Sequence, residues 1–158
     1  MKKRLFKIVC ALLAITMLGT ALAACGTPVG KDTATANDAY YDESYGNYTI
    51  EVKLIIGNPD PNGEPLFSGI VTLKTIKHMA YEAVEAACAA KSISIVGLNG
   101  YSSFITSLAG VGYKDNGNGT YTSWSTTLNG GFCAGVGAQQ LRDGDLLEIR
   151  YVTKDITW

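Results

Sequence analysis

The pattern of apolar and polar residues predicts a strand hairpin in the middle of the chain. Residues 48–56, YTIEVKLII, alternate at first and then become wholly apolar, as a half-buried strand does. Residues 57–65, GNPDPNGEP, contain three prolines and two glycines and predict a turn. Residues 66–73, LFSGIVTL, follow as a second strand, so the two strands are expected to pair.

A helix is predicted next. Residues 76–91, IKHMAYEAVEAACAAK, are rich in helix formers, and the Thr75 hydroxyl can cap them. On a helical wheel His78, Glu82 and Glu85 share the polar, solvent-facing side. The opposite side carries small apolar residues, namely Ile76, Ala80, Ala83, Val84, Ala87 and Ala90. Such a face can lie close against a sheet.

The rest of the chain predicts further strands. They are residues 92–97, 101–111, 120–128 and 145–152, and the turn KDNGNGTY precedes the third of them. A strand hairpin, one helix and then several strands make an α+β pattern, in which the helix packs on one face of a mixed sheet. The β-grasp arrangement is the most specific fold that we expect.

The first 24 residues have the layout of an export signal. A basic start is followed by an apolar stretch, residues 8–18, that is short for a membrane span, and then by small residues. LAAC at residues 22–25, followed by Gly26, resembles the bacterial lipobox. The resemblance implies that Cys25 is lipidated and holds the protein to the extracytoplasmic face of the cell membrane. An ordinary signal with a chance cysteine is the alternative.

Charge limits the choice of partners. Four of the thirteen basic residues lie in the signal and all fourteen acidic residues lie after it, so nine against fourteen leaves the processed chain at −5. An acidic chain without a basic cluster argues against nucleic acid. It argues equally against electrostatic docking on anionic lipid, so we expect the acyl chains alone to provide membrane attachment.

Three segments are therefore predicted. Residues 1–24 are the lipoprotein signal peptide, residues 25–46 a lipidated flexible stalk of small, polar and acidic residues, and residues 47–158 one folded domain. Tyr40, Tyr41 and Tyr45 are unusual in a spacer and could instead begin a strand or rest on the domain.

Four motifs in order resemble one family, the transcobalamin-like C-terminal domain of bacterial surface lipoproteins. They are YEAVEAAC, ISIVGLNGYSSFITSLAGV, WSTTLNG beginning at Trp124, and LRDGDLLEIRY, and the resemblance covers residues 48–153. It implies a β-grasp fold and a cobalamin or related corrinoid as a possible ligand. The family usually has an aromatic residue two places after the tryptophan, where this chain has Thr126. The helical barrel that completes the corrinoid site in vitamin carriers has no counterpart here, so a partner protein or a second copy would have to supply it.

Catalysis is not expected, because His78 is the single histidine of the chain. Its i+4 pairing with Glu82 offers two metal ligands without an evident third, so we expect an exposed surface histidine and no metal site. The loop around Cys133 has neither the dinucleotide fingerprint nor a P-loop sequence. For Cys88 and Cys133 a disulfide, or two buried free thiols, remain the alternatives.

The function predicted is a non-catalytic binding module that requires no cofactor. If it binds a small ligand, exposed aromatic rings can stack on it while glycine backbone lets it come close. The residues expected to form this site are Tyr101, Ser102, Trp124, Asn129, Gly130 and Phe132. The alternative is a structural or adhesive surface module that contacts protein or wall polymer.

Overall fold

In the described part of the chain, most strands form a curled mixed sheet beside one helix. A computed structural model describes residues 29–98 and 104–156. In chain order the elements are β1 (Asp32–Asn37), a 3-10 turn (Glu43–Tyr45), β2 (Ile50–Ile56), β3 (Phe67–Lys74), α1 (Ala80–Lys91), β4 (Ile95–Val96), β5 (Ser107–Leu108), β6 (Val111–Gly112), β7 (Lys114–Asp115), β8 (Thr120–Leu128), β9 (Gly131–Phe132) and β10 (Leu146–Asp155). The predicted α+β class is confirmed.

Within the described ranges, seven strands form the main sheet and three short ones form a second sheet. The main order is β1-β3-β2-β10-β8-β7, with β9 also on β8, and the small sheet is β4-β5-β6. The pairs β1 with β3 and β2 with β10 are parallel, whereas β2 with β3 and β8 with β10 are antiparallel. The predicted hairpin is therefore present, and β8 spans the same nine residues as the predicted strand 120–128.

The core lies between the sheet and α1. Strand β2 buries Val52 and Leu54 while Glu51 and Lys53 face outward, the alternation that a half-buried strand requires. Fully burying one such side chain stabilises the fold by roughly 1.5–3 kcal/mol. The buried face of α1 is mostly small, Ala80, Ala83, Val84, Ala87 and Cys88, which lets the helix approach the sheet closely.

The helix begins four residues later than expected. Its N-cap is Met79, and the Glu82 carboxylate accepts a hydrogen bond from the Met79 N–H at 2.7 Å. The Thr75 hydroxyl donates to the same carboxylate at 2.8 Å instead of capping the helix. The proposed cap was wrong because residues before Met79 pair with a distant loop, where Leu141 N–H donates to His78 C=O.

The prediction of a flexible stalk over residues 25–46 is wrong from Asp32 onward. Residues 32–37 form β1, and the Tyr41 hydroxyl lies 2.7 Å from that of Thr49. At the start of β1 the Asp32 carboxylate accepts from Ser68 N–H at 2.9 Å and pairs with Lys91 at 2.5 Å. The strand carries no large apolar residue, which is why its pattern resembles a spacer. Cys25 and the signal lie outside the described residues.

Asp32 makes the attachment of β1 sensitive to acid. The Lys91 side chain, and then the Ser68 N–H, hold the pKa of this carboxyl below its ordinary value. Its contribution to stability is present above the unfolded pKa and is lost as pH falls through the folded pKa. The salt bridge is partly exposed, so the contribution is modest.

Among the described residues no helix is long and apolar enough to span a membrane.

Candidate ligand-binding groove

The hairpin formed by β8 and β9 positions two of the predicted site residues, Trp124 and Phe132. Asn129 and Gly130 connect the strands with φ angles of 51° and 74°. Two consecutive positive φ angles are typical of the tight turn that matches strand twist, and Asn-Gly adopts them readily. The pairs Leu128 with Gly131 and Thr127 with Phe132 follow directly. The turn thus brings Phe132 back alongside the tryptophan strand.

Trp124 is held by contacts on two sides. Its Nε1–H donates to the Val111 carbonyl at 2.7 Å, and its ring lies 5.1 Å from that of Tyr151. The Tyr151 hydroxyl donates to the neighbouring Gly112 carbonyl at 2.7 Å. Both aromatic residues therefore support β6, and the half-buried indole has a fixed orientation.

A groove of about 520 Å³ opens beside this tryptophan. Residues 124–127 of β8 and residues 131–135 form its walls, with Phe104 and Lys154 at its rim. The Phe132 side chain is 90% exposed and that of Phe104 is 75% exposed. An aromatic surface left in water beside a concave site is a typical feature of ligand recognition.

The structure brings together only part of the predicted site. Trp124 and Phe132 line the groove, whereas Asn129 lines a separate depression with Arg142 and Asp145. Gly130 lies at the turn, where an added Cβ would meet no atom within 4 Å. Tyr101 and Ser102 lie outside the described residues.

The Asn129 side chain is engaged in the fold. Its Nδ2 donates to the Asp145 carboxylate at 2.8 Å, and its Oδ1 accepts from Leu146 N–H at 2.8 Å. These bonds attach the β8–β9 turn to the start of β10. These bonds support a positional role for Asn129, while its ligand-binding role stays a prediction.

Replacing Asn129 by alanine is expected to lower the free energy of unfolding by about 2 kcal/mol, since two hydrogen bonds are lost and alanine tolerates a positive φ poorly. Asn129→Gly keeps the backbone conformation and should lose about half as much. Urea unfolding measures both. A loss of ligand binding in the folded glycine variant would contradict the positional role.

Several groove residues gave no signal in the sequence. Lys154 lies beyond the predicted end of the last strand, and its Nζ donates to the Ser125 hydroxyl at 3.1 Å. The pairing of β8 with β10 places Lys154 opposite Tyr121 and Arg150 opposite Ser125. The Lys154 side chain therefore reaches along the ladder to contact Ser125. Phe104 and Thr127 likewise reach the groove through tertiary packing. The register of the two long strands alone would have indicated Arg150 beside Ser125 and not Lys154.

The two cysteines within the described residues are both free. Burial, and then the charge of Glu85, raise the pKa of Cys88 to about 11. Burial also raises the pKa of Cys133, against one hydrogen bond from the Gly135 backbone. Both thiols therefore stay protonated at neutral pH, and neither is an activated nucleophile.

Thiol labelling of the folded protein at pH 8 should be slow, and the two cysteines should react one after the other. We expect iodoacetamide to modify half-buried Cys133 first and buried Cys88 only on unfolding, because the thiolate is the reactive form. Intact mass spectrometry in denaturant without reductant should show both adducts. Their absence until reductant is added would establish the disulfide instead.

The expectation of an exposed His78 is wrong. Its side chain is 2% exposed, its Nε2 lies 2.7 Å from the Tyr48 carbonyl, and its ring lies 4.5 Å from the Tyr48 ring. His78 precedes α1 with a φ of 50°, so the helical wheel did not apply to it.

Among residues 29–98 and 104–156, no three His, Cys, Asp or Glu side chains group to hold a metal ion.

A second cavity, of about 510 Å³, lies between the end of β1 and α1. Glu82 and Glu85 line it with Tyr81. Burial, and then the charge of Glu82, raise the pKa of Glu85. Its acidic lining lacks the exposed aromatic rings of the first groove.

No protein-family model matches this chain, and no curated protein matches it.

Proposed function

We propose that this protein is a lipid-anchored, extracytoplasmic binding module without catalysis of its own, and that a small ligand enters the groove beside Trp124. The observation that carries the proposal is a groove lined by Trp124, whose indole is fixed by hydrogen bonding, and by the exposed Phe132. A planar ligand can stack there at little entropic cost to the protein, since the indole is already ordered.

The order of the strands supports the finer proposal of a β-grasp fold. The hairpin β2–β3 comes first, α1 follows, and the first hairpin strand then pairs in parallel with the last strand, β10. Strand β1 is an addition at the edge, parallel to β3. Together with the motif resemblance, this arrangement supports a transcobalamin-like domain and a corrinoid as the first ligand to test.

The absence of catalysis is proposed on the state of the reactive groups. His78, the single histidine, is buried against the Tyr48 carbonyl, and raised pKa values keep Cys88 and Cys133 protonated. The described residues that line the groove include no histidine, aspartate or glutamate.

Equilibrium dialysis of the processed protein in detergent against cobalamin and cobinamide tests the ligand. We expect saturable binding of at least one corrinoid, weakened in Phe132→Ala because its stacking surface is removed. Asn129→Gly serves as the control and should bind normally. No uptake of either corrinoid at high micromolar concentration would remove this ligand.

Lipid attachment is tested separately by labelling cells with a palmitate analogue. We expect the label on the wild-type protein and none on Cys25→Ser, because the thiol is the attachment point. The variant protein should also leave the membrane fraction. A labelled Cys25→Ser protein would contradict the anchor.

A structural or adhesive surface module is the second candidate function. Exposed Phe104, Tyr113 and Phe132 favour it, since a macromolecule covers scattered aromatic rings that a small ligand leaves in water. In this case the groove would receive part of a larger partner.

A further inference from the structure

One edge of β8 has an opening between two short strands. β7 pairs with β8 at Tyr121 and Thr122, and β9 pairs with it at Thr127 and Leu128. Between them residues 123–126 have no strand partner on that edge among the described residues. The opposite edge of β8 is paired along its whole length with β10.

The backbone groups at this opening can be assigned. Thr120 directs its carbonyl to the β7 side, where it accepts from Asn116 N–H, and Asn129 directs its N–H to Leu146 of β10. Backbone polar groups alternate between the two edges of an antiparallel strand. The N–H and C=O groups of Trp124 and Thr126 therefore point outward, into the groove that these residues line.

The opening limits what can pair with these groups. Four residues of β8 span roughly 13 Å, and β7 and β9 occupy the same edge on either side. A second copy of β8, nine residues long, would collide with both short strands. The groups that match the alternating donors and acceptors are those of a short extended backbone.

The side chains around the opening indicate what such a segment would carry. Trp124 and Thr126 face one side of the sheet, so apolar β-branched residues opposite them fit the aromatic surface. Ser125 faces the other side, 3.1 Å from the Lys154 ammonium. A carboxylate opposite Ser125 lies within reach of that charge.

We propose that a short extended peptide segment of a partner protein adds to the edge of β8 at Trp124 and Thr126, with an acidic residue opposite Ser125. This inference rests on the proposed function, in which the groove is a binding site. It names the ligand class for the second candidate function, a surface module that contacts another protein. The segment donates and accepts hydrogen bonds at both residues and places its acidic side chain beside Lys154.

The test uses the four-residue peptide acetyl-Val-Glu-Val-Thr-amide, antiparallel to residues 123–126 of β8, and the ¹⁵N-labelled processed protein in detergent. The two valines of the peptide are designed to lie opposite Trp124 and Thr126 with their amides directed at β8. The amide of its glutamate points away from β8. Two matched peptides are methylated on nitrogen, one at both valines and one at the glutamate. We expect only valine methylation to weaken binding, by about tenfold or more, because it removes two inward donors.

Binding is measured from amide chemical shifts and from protection of the Trp124 and Thr126 N–H groups against exchange. Lys154→Glu should reverse the preference between this peptide and the peptide with lysine in place of glutamate. Equal affinities of the two methylated peptides, or no binding at low millimolar concentration, would overturn the inference. Groove shifts with cobinamide but none with peptide would overturn the peptide proposal and leave the small-ligand function intact. Groove shifts with peptide but none with cobinamide would support the peptide proposal and remove the corrinoid as ligand.

Discussion

Trp124→Ala is expected to abolish ligand binding in the groove and to lower the free energy of unfolding by about 3 kcal/mol. The half-buried indole supplies one wall of the groove, packs on Tyr151 and donates to the Val111 carbonyl. Truncating a large aromatic side chain removes apolar contacts and leaves a cavity. Losing the hydrogen bond also frees β6 from one of its two aromatic supports.

Trp124→Phe separates these effects. It keeps an aromatic wall but loses the Nε1–H donor, so we expect a loss of about 1 kcal/mol in stability and retained binding. Urea unfolding and dialysis at a temperature where both variants are folded provide the comparison. Full binding by folded Trp124→Ala would show that the ligand lies elsewhere.

Gly69→Ala is expected to detach β1 from the sheet. A Cβ at position 69 would meet the Asp32 carbonyl carbon and oxygen well inside van der Waals contact, and these are backbone atoms that cannot rotate away. Because Asp32 pairs with Gly69 in the parallel ladder, β1 must move. Overpacking of this kind costs about 1–3 kcal/mol or more.

Limited proteolysis with mass spectrometry measures this detachment. We expect rapid cleavage near residues 29–40 in Gly69→Ala and slow cleavage in the wild-type protein. Gly57→Ala is the matched control, since its Cβ would lie no closer than 3.4 Å to any neighbour. Equal protection of the N-terminal segment in both variants would contradict the pairing of β1 with β3.

The strands with strong patterns were predictable because their side chains alternate and their turns carry Asn-Gly or proline. β8 was predicted with the correct bounds, since Asn118-Gly119 and Asn129-Gly130 mark its two ends. β2 and β3 are similarly bounded by the proline-rich turn. The sequence pattern does not show which strands lie parallel to them. The positions of β10 beside β2 and of β1 beside β3 depend on pairing between distant parts of the chain.

Two elements escaped sequence reasoning for physical reasons. β1 is an edge strand of threonine and alanine, stabilised by backbone pairing and by the Asp32 contacts, which composition does not reveal. The segment before α1 was assigned to the helix because its residues have helical propensity. Tertiary hydrogen bonds from residues 139–141 override that propensity and bury His78.

The candidate site was predictable in its aromatic part alone. Trp124 and Phe132 lie on either side of a recognisable turn, so their placement on one hairpin followed from local geometry. An Asn-Gly pair indicates a turn with positive φ, so the sequence did not reveal that the Asn129 side chain also bonds to β10. The Lys154 contact depends on the reach of its side chain along the ladder, because the register places Arg150 opposite Ser125.

The central claim is that ligand binds in the groove that Trp124 and Phe132 line. The most direct test is a titration of the ¹⁵N-labelled protein with cobinamide, with the Trp124 indole signal identified through Trp124→Phe. We predict that the largest shifts fall on that indole and on the amides of residues 123–127 and 132–135. Shifts confined to the acidic cavity between β1 and α1, or no shifts at saturating concentration, would contradict the account.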